Sequence, residues 1–500
     1  MSNSIHCEDR LIDLACDVLG GSVLAASDEF FAPRHNLVRA AAPVWLPDKY
    51  IDTGKWMDGW ETRRRSPGPD DWSIIRLGLR GRLETIIIDT AFFTGNFPAQ
   101  AAIEAIDAPP TASVAALQAA EWSLLVAQTA LKGDNANRLT CLPHGPVSHL
   151  RLRIFPDGGV ARLRALGVAL PNWNQLNATG SLVDLLAVEN GGRVLGCSDD
   201  FFGPPINLIL PNQARDMSEG WETRRRRGPG HDWAAFEFDA PGRLFAVELD
   251  TSWFRGNSPA EFSLEGARGI EGEIPEAGWT TLLSRRSLQP HTRHRFSREI
   301  ADHTMFSHVR LRIFPDGGLS RLRLWGRTEE AESMMRGLFV LNTAESSEAE
   351  ATFTQICGSG RWAQAMVASR PFLDVASLER RADRVWSDIE ANDWLEAFAA
   401  HPEIGGEKTS GGDSWPAREQ AGIASAEAGS LEQLTALNAR YREKFGFIFI
   451  VCASGKSAEE MLALLKERIN SDREQEIKTA ADEQRKITHL RIRKWLLEAQ

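Results

Sequence analysis

Short segments in the first two thirds of the chain alternate between apolar and charged side chains. Residues 150–155 and 161–166 switch between the two classes at nearly every position, as strands with one face in solvent do. A Pro-Asp-Gly-Gly turn at 156–159 separates them, and this arrangement predicts a β-hairpin. Runs rich in β-branched or aromatic residues, at 85–89 and 244–249, predict further strands. We therefore expect an antiparallel β-sandwich or jelly-roll architecture here.

The spacing of apolar residues becomes helical after residue 353. Apolar positions recur three or four residues apart across 378–389 and 461–469, which predicts amphipathic helices. Ser457 and Glu460 have the capping-box spacing that opens a helix. We expect an all-α domain over 351–500, preceded at 331–350 by a Glu-, Ala- and Ser-rich linker that is partly helical.

An internal repeat divides the β-rich part. The sequence LGGSVLAASDEFFAPRHNL at 19–37 recurs as NGGRVLGCSDDFFGPPINL at 190–208. WETRRR occurs at 60–65 and again at 221–226. HLRLRIFPDGG at 149–159 recurs with one change at 308–318. Collinear matches of this length predict two homologous domains, 1–168 and 169–330, each large enough to be a complete domain rather than a solenoid unit.

Composition and charge narrow the function classes. A 500-residue chain with 43% hydrophobic and 25% charged residues is ordinary for a globular protein of several domains. Its formal net charge of -11 argues against nucleic acid or an anionic membrane as the main partner. The six cysteines have no zinc-site spacing, and the polar N-terminus lacks a signal-peptide core. We therefore expect a cytoplasmic protein that binds neither nucleic acid nor membrane.

The two arginine clusters are the first candidate site. On a strand, Arg63 and Arg65 would face the side opposite Arg64. Arginines beside Glu61 would suit bidentate binding of a carboxylate. A structural network of ion pairs that ties loops together is the alternative, and charge alone favours it. The repeats differ just before the clusters, because YIDTGKWMDG at 50–59 has only ARDMSEG, at 214–220, as its counterpart.

Residues 13–327 resemble the allantoicase family. The resemblance rests on SDEFFAP, KWMDGWETRRR, DW, IDT-x-x-F-x-GN and HLRLRIFPDGG. It implies a pair of jelly-roll domains and hydrolysis of allantoate to ureidoglycolate and urea. That substrate has one carboxylate and two ureido groups, which cationic and acidic or amide side chains would bind.

The hydrolysis needs a group that activates water and a proton donor for the leaving urea. We expect the catalytic residues among Glu61, Asp58 and Glu222, drawn from a wider set that adds Asp28, Glu29, His149, Asp199 and His308. We expect the substrate-binding cations to be Arg63, Arg64, Lys55, Arg224 and Arg225. For both histidines, a structural role at a strand end is the alternative. No tight ligand spacing indicates a metal, and the need for a divalent ion is left open.

A second candidate site lies in the helical part. Residues 393–400 have a helical pattern and Pro402 ends it, which places His401 at a helix C-terminus, where the helix dipole favours imidazolium. A histidine poised between charge states, with Glu419 in the same cleft, would divide the acid and base roles. A helix-capping histidine and a solvated glutamate are the alternative.

Residues 353–495 resemble the family of 2-oxo-4-hydroxy-4-carboxy-5-ureidoimidazoline (OHCU) decarboxylases. The matching segments are RPF, DWLEAFAAHPEIG, REQAG, LNARYREKFGFIFIVCASGKS and EQRKITHLRIRK. The resemblance implies His401 and Glu419 as catalytic residues, and Pro402, Gln420 and Lys456 as substrate-binding residues. Many relatives have arginine in place of Lys456, and the family usually has serine where this chain has Pro416.

Together these features predict a bifunctional enzyme of purine and ureide breakdown. One half would hydrolyse allantoate, and the other would decarboxylate OHCU to (S)-allantoin without an organic cofactor. Two alternatives stay open: the double sandwich as a binding module, and the helical domain as a degenerate interaction domain. We expect the partners to be small ureide substrates, and we expect a homo-oligomer.

Overall fold

The computed structural model describes residues 11–64, 70–270, 274, 275, 277–301, 304–401, 428–454 and 456–499. The chain divides into two compact units. One contains residues 1–173 and 182–329, and the other contains residues 174–181 and 330–500. Both repeats therefore lie in the first unit, whereas residues 174–181, which the sequence assigns to the second repeat, group with the helical part.

The first repeat is an antiparallel β domain. Its strands are β1 Ile12–Asp13, β2 Ser22–Ala26, β3 Tyr50–Ile51, β4 Gly54–Lys55, β5 Trp60–Glu61, β6 Asp71–Asp89, β7 Gln100–Ile106, β8 Ser123–Ala130, β9 Ala136–Thr140, β10 Val147–Phe155, β11 Gly159–Val160 and β12 Arg162–Ala169, with helix α1 at Val114–Ala119. The main sheet has the order β1-β12-β6-β10-β7-β8, and β2 and β9 also pair with β6.

The long strand β6 organises this domain. Its first half pairs with β2 and β10, and its second half pairs with β9 and β12. The predicted hairpin between residues 150–155 and 161–166 is therefore wrong, because β6 separates β10 from β12. The period-two pattern identifies a strand and its buried face, but it does not identify the neighbouring strand.

The second repeat has the same topology. Its strands are β13 Val183–Asp184, β14 Arg193–Cys197, β15 Trp221–Glu222, β16 Asp232–Asp250, β17 Glu261–Ala267, β18 Thr280–Ser287, β19 Arg293–Phe296, β20 Phe306–Phe314, β21 Gly318–Leu319 and β22 Arg321–Thr328. The main sheet has the order β13-β22-β16-β20-β17-β18, with β14 and β19 paired to β16.

Each repeat has its own apolar core, and one buried tryptophan fixes a loop in each. Trp60 and Trp221 are fully buried. Their indole N–H groups donate to the carbonyl oxygens of Asp28 and Asp199, at 2.8 and 2.9 Å. Because a buried indole N–H needs an acceptor, these bonds tie the loop after β2 or β14 to the WETRR segment.

The second unit is helical. Its helices are α2 Trp173–Ala178, α3 Glu329–Thr343, α4 Ser346–Cys357, α5 Gly360–Val367, α6 Val375–Asp388, α7 Ala391–Ala399, α8 Ala428–Phe445, α9 Ala458–Arg468 and α10 Arg473–Glu498. The predicted linker at 331–350 is thus wrong, because buried residues such as Met334, Leu338 and Leu341 join α3 to the core. The capping box of Ser457 and Glu460 is confirmed.

Among the described helices, none has the length and apolar character needed to cross a membrane.

Candidate active sites

Glu61 lies where three loops of the first repeat meet. Strand β5 pairs with β11, so Gly159 lies opposite Glu61, and the next N–H group along, that of Thr62, donates to the Gly158 carbonyl oxygen. On the other side, the N–H groups of Phe31 and Ala32 donate to the Glu61 carbonyl oxygen. Segments that are far apart in the sequence therefore converge around this glutamate.

The Glu61 carboxylate is half-buried and oriented by an amide. Asn96 Nδ2 donates to Glu61 Oε1 at 2.7 Å. Burial raises the pKa of Glu61, and the hydrogen bond from Asn96 and the positive charge of Arg64 offset only part of that effect. A carboxyl group with a raised pKa beside solvent suits proton transfer near neutral pH.

Arg63 is anchored at the edge of this site. Its Nη2 lies 2.8 Å from Asp28 Oδ1, and its backbone N–H donates to Asp28 Oδ2 at 2.7 Å. Its guanidinium carbon lies 5.2 Å from the centre of the Phe30 ring. Burial opposes ionisation of Asp28, but the hydrogen bonds from Arg63 outweigh it and lower the pKa of Asp28. Asp28 is thus the partner of an arginine and is a poor proton acceptor.

The second repeat reproduces both arrangements. Asn257 Nδ2 donates to Glu222 Oε1 at 2.6 Å. Arg224 Nε lies 2.7 Å from Asp199 Oδ2, and its guanidinium carbon lies 5.0 Å from the centre of the Phe201 ring. Glu222 and Arg224 therefore occupy positions equivalent to Glu61 and Arg63.

The predicted alternation of the arginines is wrong. The strand ends at Glu61, and Arg63 and Arg64 are both exposed. Arg225 is exposed in the second repeat. Arg65 lies outside the described residues. The short pairing of β5 with β11 stops the strand before the cluster, and Arg64 lies on the surface close enough to Glu61 to act on its charge.

Two predicted site residues of the first repeat have structural contacts instead. Asp58 is buried, and its Oδ2 lies 2.9 Å from Arg162 Nη2. The Lys55 ammonium donates to the carbonyl oxygens of Leu46 and Pro47. It also lies within 4.8 Å of the Trp45 ring centre and 4.7 Å of the Tyr50 ring centre. These contacts occupy both charged groups and support structural roles for them.

His149 and His308 lie at the wrong ends of their strands for the predicted role. Both residues come near the start of β10 or β20, whereas the Pro-Asp-Gly-Gly turn that contacts Glu61 or Glu222 follows the strand's end. Six residues of strand, at about 3.3 Å each, separate His149 from that end by roughly 20 Å. Burial lowers the pKa of both histidines, and Ser148 and Ser307 contact their Nδ1 atoms at 2.9 and 2.8 Å.

Glu29 also has a structural partner. Its Oε1 lies 2.5 Å from Arg34 Nη1, and its Oε2 accepts from the Arg34 N–H at 3.1 Å. The pair closes the loop that follows β2. Of the wider set of acidic candidates in the first repeat, Glu61 is the one whose carboxylate is half-buried and held by a neutral amide rather than by an arginine.

His401 lies just after helix α7, against the C-terminal helix. Arg491 Nη2 lies 3.4 Å from His401 Nδ1. Burial lowers the pKa of His401 to about 4, and the positive charge of Arg491 adds to this effect. This shift is opposite to the one that the helix dipole favours, because desolvation and a facing guanidinium both disfavour the charged ring.

Lys456 lies in the segment between helices α8 and α9 of the same unit. Its ammonium donates to the Cys452 carbonyl oxygen at 2.7 Å, and the Cys452 N–H donates to Glu483 Oε2 at 2.7 Å. Glu483 is followed directly by Gln484, a buried residue on α10. The predicted residues Pro402, Glu419 and Gln420 lie outside the described residues, as does Pro416.

Comparisons with known proteins identify both parts of the chain. A family model of the allantoicase repeat matches residues 12–170 and 183–329, and a model of OHCU decarboxylase matches residues 342–493. The chain belongs to the allantoicase family. It is 43% identical to the allantoicase of Dictyostelium discoideum over 319 residues, which cover 62% of this chain and 86% of that protein.

Further allantoicases agree with this membership. A probable allantoicase of Pseudomonas paraeruginosa is 44% identical over 336 residues, covering 65% of this chain and 99% of that protein. The crystal structure of allantoicase from Saccharomyces cerevisiae superposes with a TM-score of 0.54 at 34% identity, covering 65% of this chain and 95% of that one. The chain thus joins an allantoicase to an OHCU decarboxylase domain, which makes it a bifunctional enzyme of ureide breakdown. Nothing in these comparisons favours a non-catalytic role for either part.

The sequence did not identify the polar side chains that contact the candidate catalytic residues of the two enzymes. Asn96 and Asn257 are part of the motif IDT-x-x-F-x-GN and its repeat, but no pattern links them to a particular glutamate. Gln484 and Arg491 are seven residues apart in EQRKITHLRIRK, so they lie on one helix face. Among the described side chains of the allantoicase and the decarboxylase, no group of three or more His, Cys, Asp or Glu residues is arranged to hold a metal ion.

Proposed function

We propose that the first repeat hydrolyses allantoate at Glu61, and that the helical unit decarboxylates OHCU at His401. The observation that carries the first assignment is the Glu61 carboxyl, with its raised pKa and its orienting hydrogen bond from Asn96, beside the exposed cation of Arg64. These groups match a water that must lose a proton and a substrate carboxylate that needs a cation.

In this hydrolysis, a water oxygen bonds to the central carbon of allantoate while the bond from that carbon to a ureido nitrogen breaks. Glu61 accepts the proton that the water loses. The resulting carboxylic acid then donates that proton to the leaving nitrogen, so the products are ureidoglycolate and urea. Arg64 binds the substrate carboxylate, and Arg63, held by Asp28, supplies a fixed positive charge at the edge of the site.

In the decarboxylation, the bond between the ring carbon and the carboxylate carbon breaks, the carboxylate leaves as carbon dioxide, and the electron pair left on the ring carbon takes up a proton that comes from solvent. His401 contacts the substrate. The Lys456 ammonium has N–H groups left for a substrate carboxylate beyond the one it donates to Cys452. We expect the reaction to use no organic cofactor, and we expect a homo-oligomer in the cytoplasm that acts on small ureides.

The two repeats provide a matched test of the first assignment. The variants Glu61→Gln and Glu222→Gln each keep an oxygen that accepts from the neighbouring asparagine. We expect Glu61→Gln to lower kcat for urea release from allantoate by about 10²- to 10⁴-fold, the range for loss of an acid–base group, and Glu222→Gln to lower it far less. Equal losses would assign catalysis to both repeats, and an unchanged rate in Glu61→Gln would remove Glu61 from the mechanism.

Two further measurements complete the test. Urea release is measured before and after EDTA treatment, and again after addition of divalent metal. This series determines whether the hydrolysis requires a metal ion. Formation of (S)-allantoin from OHCU, followed by circular dichroism, is compared between the full chain and its His401→Asn variant. An unchanged rate in that variant would contradict the assignment of the second site to His401.

A further inference from the structure

A buried polar stripe on helix α10 faces His401. Gln484, Thr488 and Arg491 are separated by four and three residues, so they share one helix face, and all three are buried. Gln484 Nε2 lies 3.3 Å from the carbonyl oxygen of Cys357, at the end of α4. Buried polar side chains are costly unless they have partners, so this stripe indicates a polar pocket within the apolar core of the unit.

The contact between Arg491 and His401 fixes the position of the imidazole proton. A guanidinium has only donors and stays protonated in proteins, so Arg491 Nη2 donates across the 3.4 Å to His401 Nδ1. Nδ1 must therefore carry a lone pair. A neutral imidazole whose Nδ1 accepts has its proton on Nε2.

The Nε2 side of the ring has the opposite character. His401 Nε2 and Gln484 Oε1 are both buried, and the Gln484 side chain pairs with His401, which offsets part of the lowering of the pKa of His401. An amide oxygen accepts from an imidazole N–H, so a carbonyl group on this side of the ring favours the tautomer with its proton on Nε2. Gln484 is neutral, so Arg491 is the charged group that faces the ring from α10.

We propose that Arg491 is a positioning residue that holds His401 as the neutral tautomer with its proton on Nε2, so that His401 offers an N–H donor to the substrate. In this state Nε2 has no lone pair, so His401 does not act as the base through that atom. The proposal rests on the proposed decarboxylase site, because it deepens the role of His401 there.

The tautomer is measured directly by nitrogen NMR of the full chain labelled with ¹⁵N-histidine. The His401 signal is assigned by its absence in His401→Asn. We expect ring-nitrogen shifts of the Nε2-protonated neutral form at pH 6–7 in the native chain. In Arg491→Met we expect a mixture of tautomers and protonation at higher pH. Nδ1-protonated or doubly protonated His401 in the native chain would overturn the proposal.

Activity supplies the second readout. We expect Arg491→Met to slow OHCU decarboxylation by roughly 10- to 100-fold, with Arg491→Lys less affected because it keeps a cationic donor. Arg493→Met is the matched control, since Arg493 lies on the same helix and pairs with Glu379 at 2.5 Å. It should change neither tautomer nor rate. Unfolding midpoints of all variants separate loss of fold from loss of the contact.

These results distinguish the proposal from the function on which it rests. If His401→Asn keeps full decarboxylation while the native NMR spectrum shows the Nε2-protonated form, the assigned site is wrong and the tautomer is right. If His401→Asn is inactive and Arg491→Met retains both the tautomer and the rate, the role given to Arg491 is wrong.

Discussion

Asp58 and Arg162 form an ion pair in the core of the first repeat. Asp58 Oδ2 lies 2.9 Å from Arg162 Nη2, and their side chains are 2% and 1% exposed. Arg162 also donates to the carbonyl oxygens of Asp58, Ala41 and Ala161, at 3.0, 2.9 and 2.7 Å. This pair joins β12 to the segment that leads into Glu61. It therefore holds in place the segment that carries Glu61.

In the second repeat, the equivalent buried arginine has a neutral partner instead of a carboxylate. Arg321 Nη2 donates to Asn212 Oδ1 at 2.8 Å, and burial lowers the pKa of Arg321 to about 10. Arg321 still donates to the carbonyl oxygens of Glu219 and Ser320. A buried arginine at this position thus needs acceptors, which an amide oxygen provides as well as a carboxylate.

We predict that Asp58→Ala destabilises the first unit by about 3–5 kcal/mol, because it leaves the Arg162 charge buried without a partner. Asp58→Asn should cost less, since an amide oxygen still accepts. Denaturant unfolding measures both variants. Asn212→Ala serves as the comparison from the second repeat. A stable Asp58→Ala protein with no urea release would instead place Asp58 in catalysis.

The hydrogen bond from Asn96 sets part of the acid–base behaviour of Glu61. It lowers the pKa of Glu61 against the larger effect of burial. If Glu61 is the base, its activity is lost as pH falls through that pKa. We therefore predict that Asn96→Ala moves the acidic limb of the kcat/KM profile for allantoate to higher pH. The profile of Asn257→Ala should stay in place, and a limb that moves to lower pH in Asn96→Ala would contradict the assignment.

Arg64 should bind the allantoate carboxylate. We predict that Arg64→Gln raises KM by about 10- to 100-fold with a smaller change in kcat, because a charge-assisted hydrogen bond contributes about 1.5–3 kcal/mol. Initial rates of urea release over a range of allantoate concentrations measure both constants. Arg225→Gln is the matched variant in the second repeat. If the two variants raise KM equally, either the substrate contacts both repeats or the two arginines attract it only through their positive charge.

The lowered pKa of His401 links the stability of the helical unit to pH. The folded group titrates at about 4 and the unfolded group near 6.5. The contribution of neutral His401 to the free energy of unfolding is present above pH 6.5 and is lost as pH falls towards 4. We predict a loss on the order of 3 kcal/mol over that window in the native chain, and a smaller loss in His401→Asn. Unfolding curves across pH 4–7 measure the difference. Parallel curves for the two proteins would show that His401 is not buried as a neutral ring.

The sequence by itself determined the repeat, the classes of secondary structure and both enzyme families. The recurrence of WETRRR and FPDGG identified two copies of one domain, and the spacing across 378–389 identified a helix. These properties are local or repeated along the chain, so they can be recognised without coordinates. The glutamate and the histidine at the centre of the two sites also lie in recognisable motifs.

Only the tertiary structure decided which of the charged residues are available for chemistry. Asp58 and Asp28 were acidic candidates alongside Glu61, and Lys55 was a candidate substrate-binding cation, but each is occupied by a partner between 8 and 104 residues away along the chain. The pairing of β5 with β11 placed Glu61 near the end of β10, whereas His149 lies near the start of that strand. Burial of His401, with Arg491 beside it, lowers the pKa of an imidazole that the helix dipole alone would favour as the charged form. Protonation and availability depend on burial and on contacts between distant segments, and a linear pattern contains neither.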